Sequence, residues 1–177
     1  VENTPTNNAV GHTMILPTLG KIPELRIVMD NVIEAEKRLI EAKTVNPATY
    51  ADLEHTFNES YRDLKKNLAA IGYQIALTDK AMEQAKADVL LDKYPEFLES
   101  NNMKKSQDNA DLRKAFLMRD EAYIAGLDRM NQLKTLENNL EGKIKVMENV
   151  CRYMRKQMDL ILRSGLSNRD YYVSQKT

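Results

Sequence analysis

His12 and His55 are the only histidines in the chain. Asp52 and His55 stand three residues apart, the spacing at which a carboxylate and an imidazole share one helix face and could bridge a metal. Metal centres in helical bundles need two such pairs and further carboxylates. Only one partial pair exists, so neither a metal site nor any other cofactor is expected. Cys151 is the single cysteine and falls on an apolar helical stripe, where a free thiol behaves as a small hydrophobe. It can form no internal disulfide, which points to a reducing compartment. Asn58-Glu59-Ser60 fits the glycosylation triplet, but no basic stretch leads into an apolar segment near Val1, so no secretory signal is expected and the triplet is incidental. The GxxxxGK, GxGxxG, GxSxG and HExxH patterns are all missing, so the chain is not expected to be an enzyme.

The remaining chemistry is electrostatic. Lys134, Lys145, Arg152, Lys156 and Arg163 are offset by 11, 7, 4 and 7 residues. At 100° per residue they fall within about 20° of one line on a helix, opposite its apolar stripe. Residues 143–177 hold eight basic against three acidic side chains, a local charge of +5, whereas residues 24–59 hold eight acidic against four basic, −4. The total of 26 basic and 26 acidic residues therefore hides a dipolar molecule. A basic line of this kind suits the phosphates of a nucleic acid, with Tyr153, Tyr171 and Tyr172 available to stack on bases. It also suits a plain solvated face, or pairing with an acidic neighbour.

Long helices must position these residues. Leu25, Val28, Val32, Ala35, Leu39 and Ala42 recur at steps of three and four, predicting a first helix over about residues 23–44 that opens at Pro23. Asn46-Pro47 breaks that pattern and caps the next. Tyr50, Leu53, Phe57, Tyr61, Leu64, Leu68, Ile71, Ile75, Thr78, Met82, Ala85 and Val89 then mark a second helix over about residues 48–92, with Gly72 as a point of kinking or close crossing. Tyr94-Pro95 ends it, and a polar connection follows to Asn109. A third helix is expected over about residues 110–163. Its stripe includes Phe116, Tyr123, Leu127, Met130, Leu133, Leu140, Ile144, Met147, Cys151, Met154, Met158 and Ile161, and Gly165 stops it. The methionines in it read as core.

The expected fold is all-α: a long antiparallel coiled-coil hairpin behind a shorter helix. Residues 1–22 form an extended arm and residues 23–177 a single helical domain. Helices this long expose more apolar edge than one small domain covers, so a homo-oligomer is expected. No apolar run approaches the ~18 to 20 residues that span a bilayer, so no membrane role is expected.

Between about residues 68 and 172 the chain resembles the UvsY-like recombination mediators of T-even-type phages. A long helix runs into Lys86-Ala87, with a tyrosine-containing break at Asp92-Lys93-Tyr94. Asp108-Asn109-Ala110-Asp111 opens a second long helix, which closes with Met158-Asp159-Leu160-Ile161-Leu162-Arg163-Ser164-Gly165. The resemblance implies a small helical protein that forms rings, binds single-stranded DNA and loads a RecA-type recombinase onto strands coated by single-strand-binding protein. Lys86 fits the family's basic segment. Asp88 departs from it, which shifts the expected DNA contact toward Lys134, Lys145, Arg152, Lys156, Arg163, Arg169 and Tyr171. Residues 1–44 lie outside the resemblance. Host cytoplasm is then the expected location. The rival reading is a structural or assembly component of a large complex such as a phage particle, located in the virion and without a nucleic-acid role. It draws on the start at Val1 and the neutral total charge.

Overall fold

A computed structural model describes residues 12–103 and 108–174, with side chains as far as Gly165. The chain is helical over most of that length. It divides into two compact units. The first comprises the described residues of Val1–Met14, Arg26–Leu68 and Asn139–Thr177. The second comprises those of Ile15–Leu25 and Ala69–Asn138.

Ahead of the helices lies a hairpin that the sequence reading did not anticipate. Strands β1 (Thr13–Leu16) and β2 (Leu25–Val28) form a two-stranded sheet. Leu19 and Ile22 exchange backbone hydrogen bonds at 3.0 and 2.8 Å beyond its end. Gly20, at φ +56°, supplies the positive dihedral that so tight a turn requires. The expected helix from Pro23 is therefore corrected. Leu25, Ile27 and Met29 are buried while Arg26 and Val28 are exposed, the period-two pattern of a strand. Helix α1 starts only at Asp30 and ends at Lys37, burying Val32 and Ala35. A 3₁₀ turn over Glu41–Thr44 follows and buries Ala42.

Helix α2 (Pro47–Asp88) opens as expected. The Asn46 side-chain oxygen accepts from the amides of Ala48 and Thr49 at 3.0 and 3.1 Å, and Pro47 occupies the first turn, where no N–H is needed. Its buried line runs Leu53, Phe57, Ser60, Leu64, Asn67, Ile71, Gln74, Thr78, in strict alternation of four and three. The sequence stripe placed Tyr61, Leu68 and Ile75 on that line. They flank it half-buried or so, and the centre belongs instead to Ser60, Asn67 and Gln74. Two of these polar side chains bind backbone from the N-terminal segment. In the first unit Asn67 Nδ2 donates to the Val28 carbonyl at 2.9 Å; in the second, Gln74 Nε2 donates to the Pro23 carbonyl at 2.9 Å.

A π-type turn (Val89–Lys93) joins α2 to α3 (Tyr94–Ser100), so the chain stays helical through Pro95, which sits in the first turn of α3. The single third helix predicted by the sequence is two helices. Helix α4 (Ala110–Leu117) is capped by Asn109, whose side chain accepts from the Leu112 amide at 2.8 Å. Helix α5 (Glu121–Ser174) is capped by Asp120, which accepts from the Tyr123 amide at 3.0 Å. Gly165 does not stop α5, because its φ is not positive and the helix passes through it.

Within the second unit, Tyr94, Phe97 and Phe116 cluster with ring centroids 4.9 to 6.3 Å apart. The Tyr94 hydroxyl donates to Asp108 at 2.9 Å, and Arg113 grips the same carboxylate through two bonds of 2.8 and 2.7 Å. A Cβ on Gly126 of α5 would fall 2.5 Å from Met82 Cγ of α2, so the two helices approach closely there. Gly72 faces open space and marks no such crossing. No helix among the described residues is long and apolar enough to cross a membrane.

Candidate nucleic-acid interface

In the first unit, α5 is oriented by its apolar face. Leu140, Ile144, Met147 and Met154 are buried, and the side chains roughly half a turn away must then face water. Those side chains are Lys145, Arg152, Lys156 and Arg163, all exposed. At 1.5 Å per residue they are spread along about 27 Å of helix.

Neighbouring bases of α5 are locally neutralised. Lys143 pairs with Glu36 of α1. Arg155 donates to Glu54 of α2 at 3.2 Å, and its pKa rises above its ordinary value because of that bond and one to the Tyr50 hydroxyl. Lys145, Arg152, Lys156 and Arg163 have no such carboxylate among the described residues. These four side chains form one line, and the exposed Glu141, Glu148 and Asp159 stand one turn before Lys145, Arg152 and Arg163 on the same side of the helix. Arg152 also borders a shallow groove with Asn58, Tyr61, Glu148 and Cys151. The carboxylate of Glu148 there limits how closely a phosphate could settle beside Arg152.

The other expected site residues are placed differently. Lys134 is exposed on α5 in the second unit. Lys86, on α2 in that same unit, is half-buried and 3.5 Å from Glu83, an ion pair within its own helix. Arg169 and Tyr171 lie on the backbone of α5, and their side chains fall outside the described residues. Tyr153 is exposed, but on a flank of α5 turned away from the basic line.

The chain matches no family model, no curated protein and no solved structure.

Of the groups that could do covalent or metal chemistry, the Asp52 carboxylate is held in an ion pair and the Cys151 thiol is shielded by burial. Asp52 binds Arg38 at 2.7 Å, and Arg38 also reaches Glu41 at 3.1 Å and the Thr56 hydroxyl at 2.9 Å. Among the described residues no three His, Cys, Asp or Glu side chains gather as a metal site. Burial pushes the Cys151 thiol up, away from the reactive thiolate. Sequence reasoning missed Arg129 of α5, which is only 4% exposed. One of its terminal nitrogens donates to Gln74 at 3.3 Å, and its Nε has no partner among the described residues. Burial lowers its pKa from the ordinary arginine value. An arginine between Asp128 and Met130 reads as surface until the opposing helix is known.

Proposed function

We propose that the protein is a non-enzymatic recombination mediator, which holds single-stranded DNA on the outer face of α5 and passes it to a RecA-type recombinase. The observation that carries this reading is the line of Lys145, Arg152, Lys156 and Arg163, exposed and without carboxylate partners among the described residues, while the adjacent Lys143 and Arg155 are neutralised. A single strand is flexible enough to follow a straight basic line, and its phosphates recruit lysine and arginine without sequence preference. Four charges from one chain bind weakly. Assembly into a homo-oligomer would repeat the line and raise the effective concentration of each contact. A strand held loosely at many points can be surrendered piecewise to a recombinase, which is the chemistry a mediator needs. Such a protein acts in the cytoplasm of the host cell, beside the single-strand-binding protein it helps displace, and needs no metal or cofactor.

Charge reversal at Arg152, Lys156 and Arg163 together tests the reading. Binding of a labelled ~30-nucleotide strand should be lost at low salt, with far-UV circular dichroism unchanged. Undiminished affinity in the triple variant would remove the basis for the proposal.

A further inference from the structure

Helix α5 carries a second, largely apolar line that its own unit covers only in part. Val146, Val150, Tyr153, Gln157 and Leu160 follow at steps of four, three, four and three. Val146, Tyr153 and Leu160 are 45%, 44% and 52% exposed. At 100° per residue this line lies about 110° from the buried face of α5. Beside it, Leu39 and Ile40 close an open groove of about 640 Å³ that also includes Val150 and Tyr153. Ile40 is 76% exposed, so the apolar surface continues onto the groove's far bank.

The spacing and the flanking charges together identify what fits. Steps alternating four and three track one side of a helix that supercoils with another helix. Val146, Val150 and Leu160 offer no π-face, so the line as a whole does not suit stacked bases. Both banks are basic. Lys43 lines the groove on one side and Lys156 stands on α5 next to Leu160, neither with a carboxylate partner among the described residues. The exposed acids of this stretch, Glu141, Glu148 and Asp159, lie about 145° from the apolar line. Two copies of this face laid against each other would bring four lysines and none of these carboxylates to the seam, which is unfavourable. The acidic helix α1 of a second copy cannot serve either, since its apolar Val32 and Ala35 are already buried.

We infer that the line from Val146 to Leu160, with Leu39 and Ile40, is a docking surface for one acidic amphipathic helix of a partner protein. The helix would lie along about 21 Å of α5, its apolar residues in the groove and its carboxylates against Lys43 and Lys156. The surface shares Lys156 with the DNA-binding line, but its decisive residues are apolar and lie outside that line.

The test uses the full chain and two labelled 21-residue helical peptides. Both carry leucine at the four–three positions; one is flanked by glutamate and the other by lysine. The glutamate peptide should bind at least tenfold tighter than the lysine peptide, and Lys43→Glu should narrow that gap. The double variant Val146→Ser, Leu160→Ser should weaken the glutamate peptide at least tenfold while leaving binding of the ~30-nucleotide strand unchanged. Equal affinities for the two peptides, or no effect of the double variant, would overturn the assignment. Sedimentation velocity supplies the other refutation: an oligomer in the natural chain that dissociates in the double variant would mean that a second copy covers this face.

Discussion

Asn67 and Ser60 occupy equivalent, buried positions on α2, seven residues apart, and should respond oppositely to alanine. Asn67 donates to the Val28 carbonyl at 2.9 Å and so ties β2 to the helix. Truncation leaves that carbonyl short of a partner and opens a small void, at a cost of about 2 kcal/mol. The Ser60 hydroxyl is fully buried and has no hydrogen-bond partner among the described residues. Ser60→Ala removes an unsatisfied polar atom and adds a better helix former, so it should be neutral or stabilising by up to about 1 kcal/mol. The effect of Asn67→Ala is local, which makes amide hydrogen exchange a suitable assay. The Met29 amide donates to the His12 carbonyl at 2.9 Å and reports whether the N-terminal segment stays docked. A loss of about 2 kcal/mol corresponds to roughly a 30-fold fall in its protection if opening of this segment governs exchange. Ser60→Ala should leave Met29 protection intact. If Asn67→Ala changed nothing, or Ser60→Ala cost as much, the view that this polar row reads the N-terminal backbone would be wrong.

Two glycines in long helices should also part company. Gly72→Ala, in open space, should stabilise by about 0.5 to 1 kcal/mol. Gly126→Ala drives a methyl into Met82 and should destabilise by on the order of 1 kcal/mol after the helix-propensity gain is offset. Opposite shifts in thermal midpoint, each about 2 to 4 °C, would register both. Acid should loosen the second unit selectively. Asp108 is held below the usual carboxylate range by Arg113 and then by Tyr94, and Asp120 by Lys93 and then by the Tyr123 amide. A carboxylate depressed in the folded state contributes stability that is fully present above its unfolded pKa near 4 and is lost as pH falls through the lower folded value. Denaturant titrations between pH 5 and 2 should show that loss, and Asp108→Asn with Asp120→Asn should flatten it.

What the sequence discloses is set by which signals are local. The start of α2 was legible because Asn46-Pro47 is a cap and a break in adjacent residues. The inner face of α5 was legible because Leu133, Leu140, Ile144, Met147 and Met154 are apolar and regularly spaced. The hairpin was not, since Leu25 and Val28 fit a helical step as well as they fit neighbouring strand positions. Only the pairing with β1 and the bonds from Asn67 and Gln74 decide it. Those same two side chains were missed for a related reason: hydropathy assigns amides to the surface, and their burial depends on carbonyls 39 and 51 residues away. The division of the last helix at Met118–Asp120 rests on one capping carboxylate. For the candidate interface, the exposure of Lys145, Arg152, Lys156 and Arg163 could be read from their phase. The neutralisation of Lys143 and Arg155 could not, because Glu36 and Glu54 reach them only through packing.

The central claim, that α5 presents a track for a phosphate backbone, is tested most directly by fluorescence anisotropy of a labelled ~30-nucleotide strand titrated with the natural chain between 50 and 200 mM salt. Each phosphate neutralised on a single strand contributes a slope of about −0.7 in log affinity against log salt. Four contacts from one chain give about −2.8, so affinity should fall roughly 50-fold across that range. Contacts from further copies would steepen it. No binding at 50 mM, or binding with a slope near zero, would contradict the account.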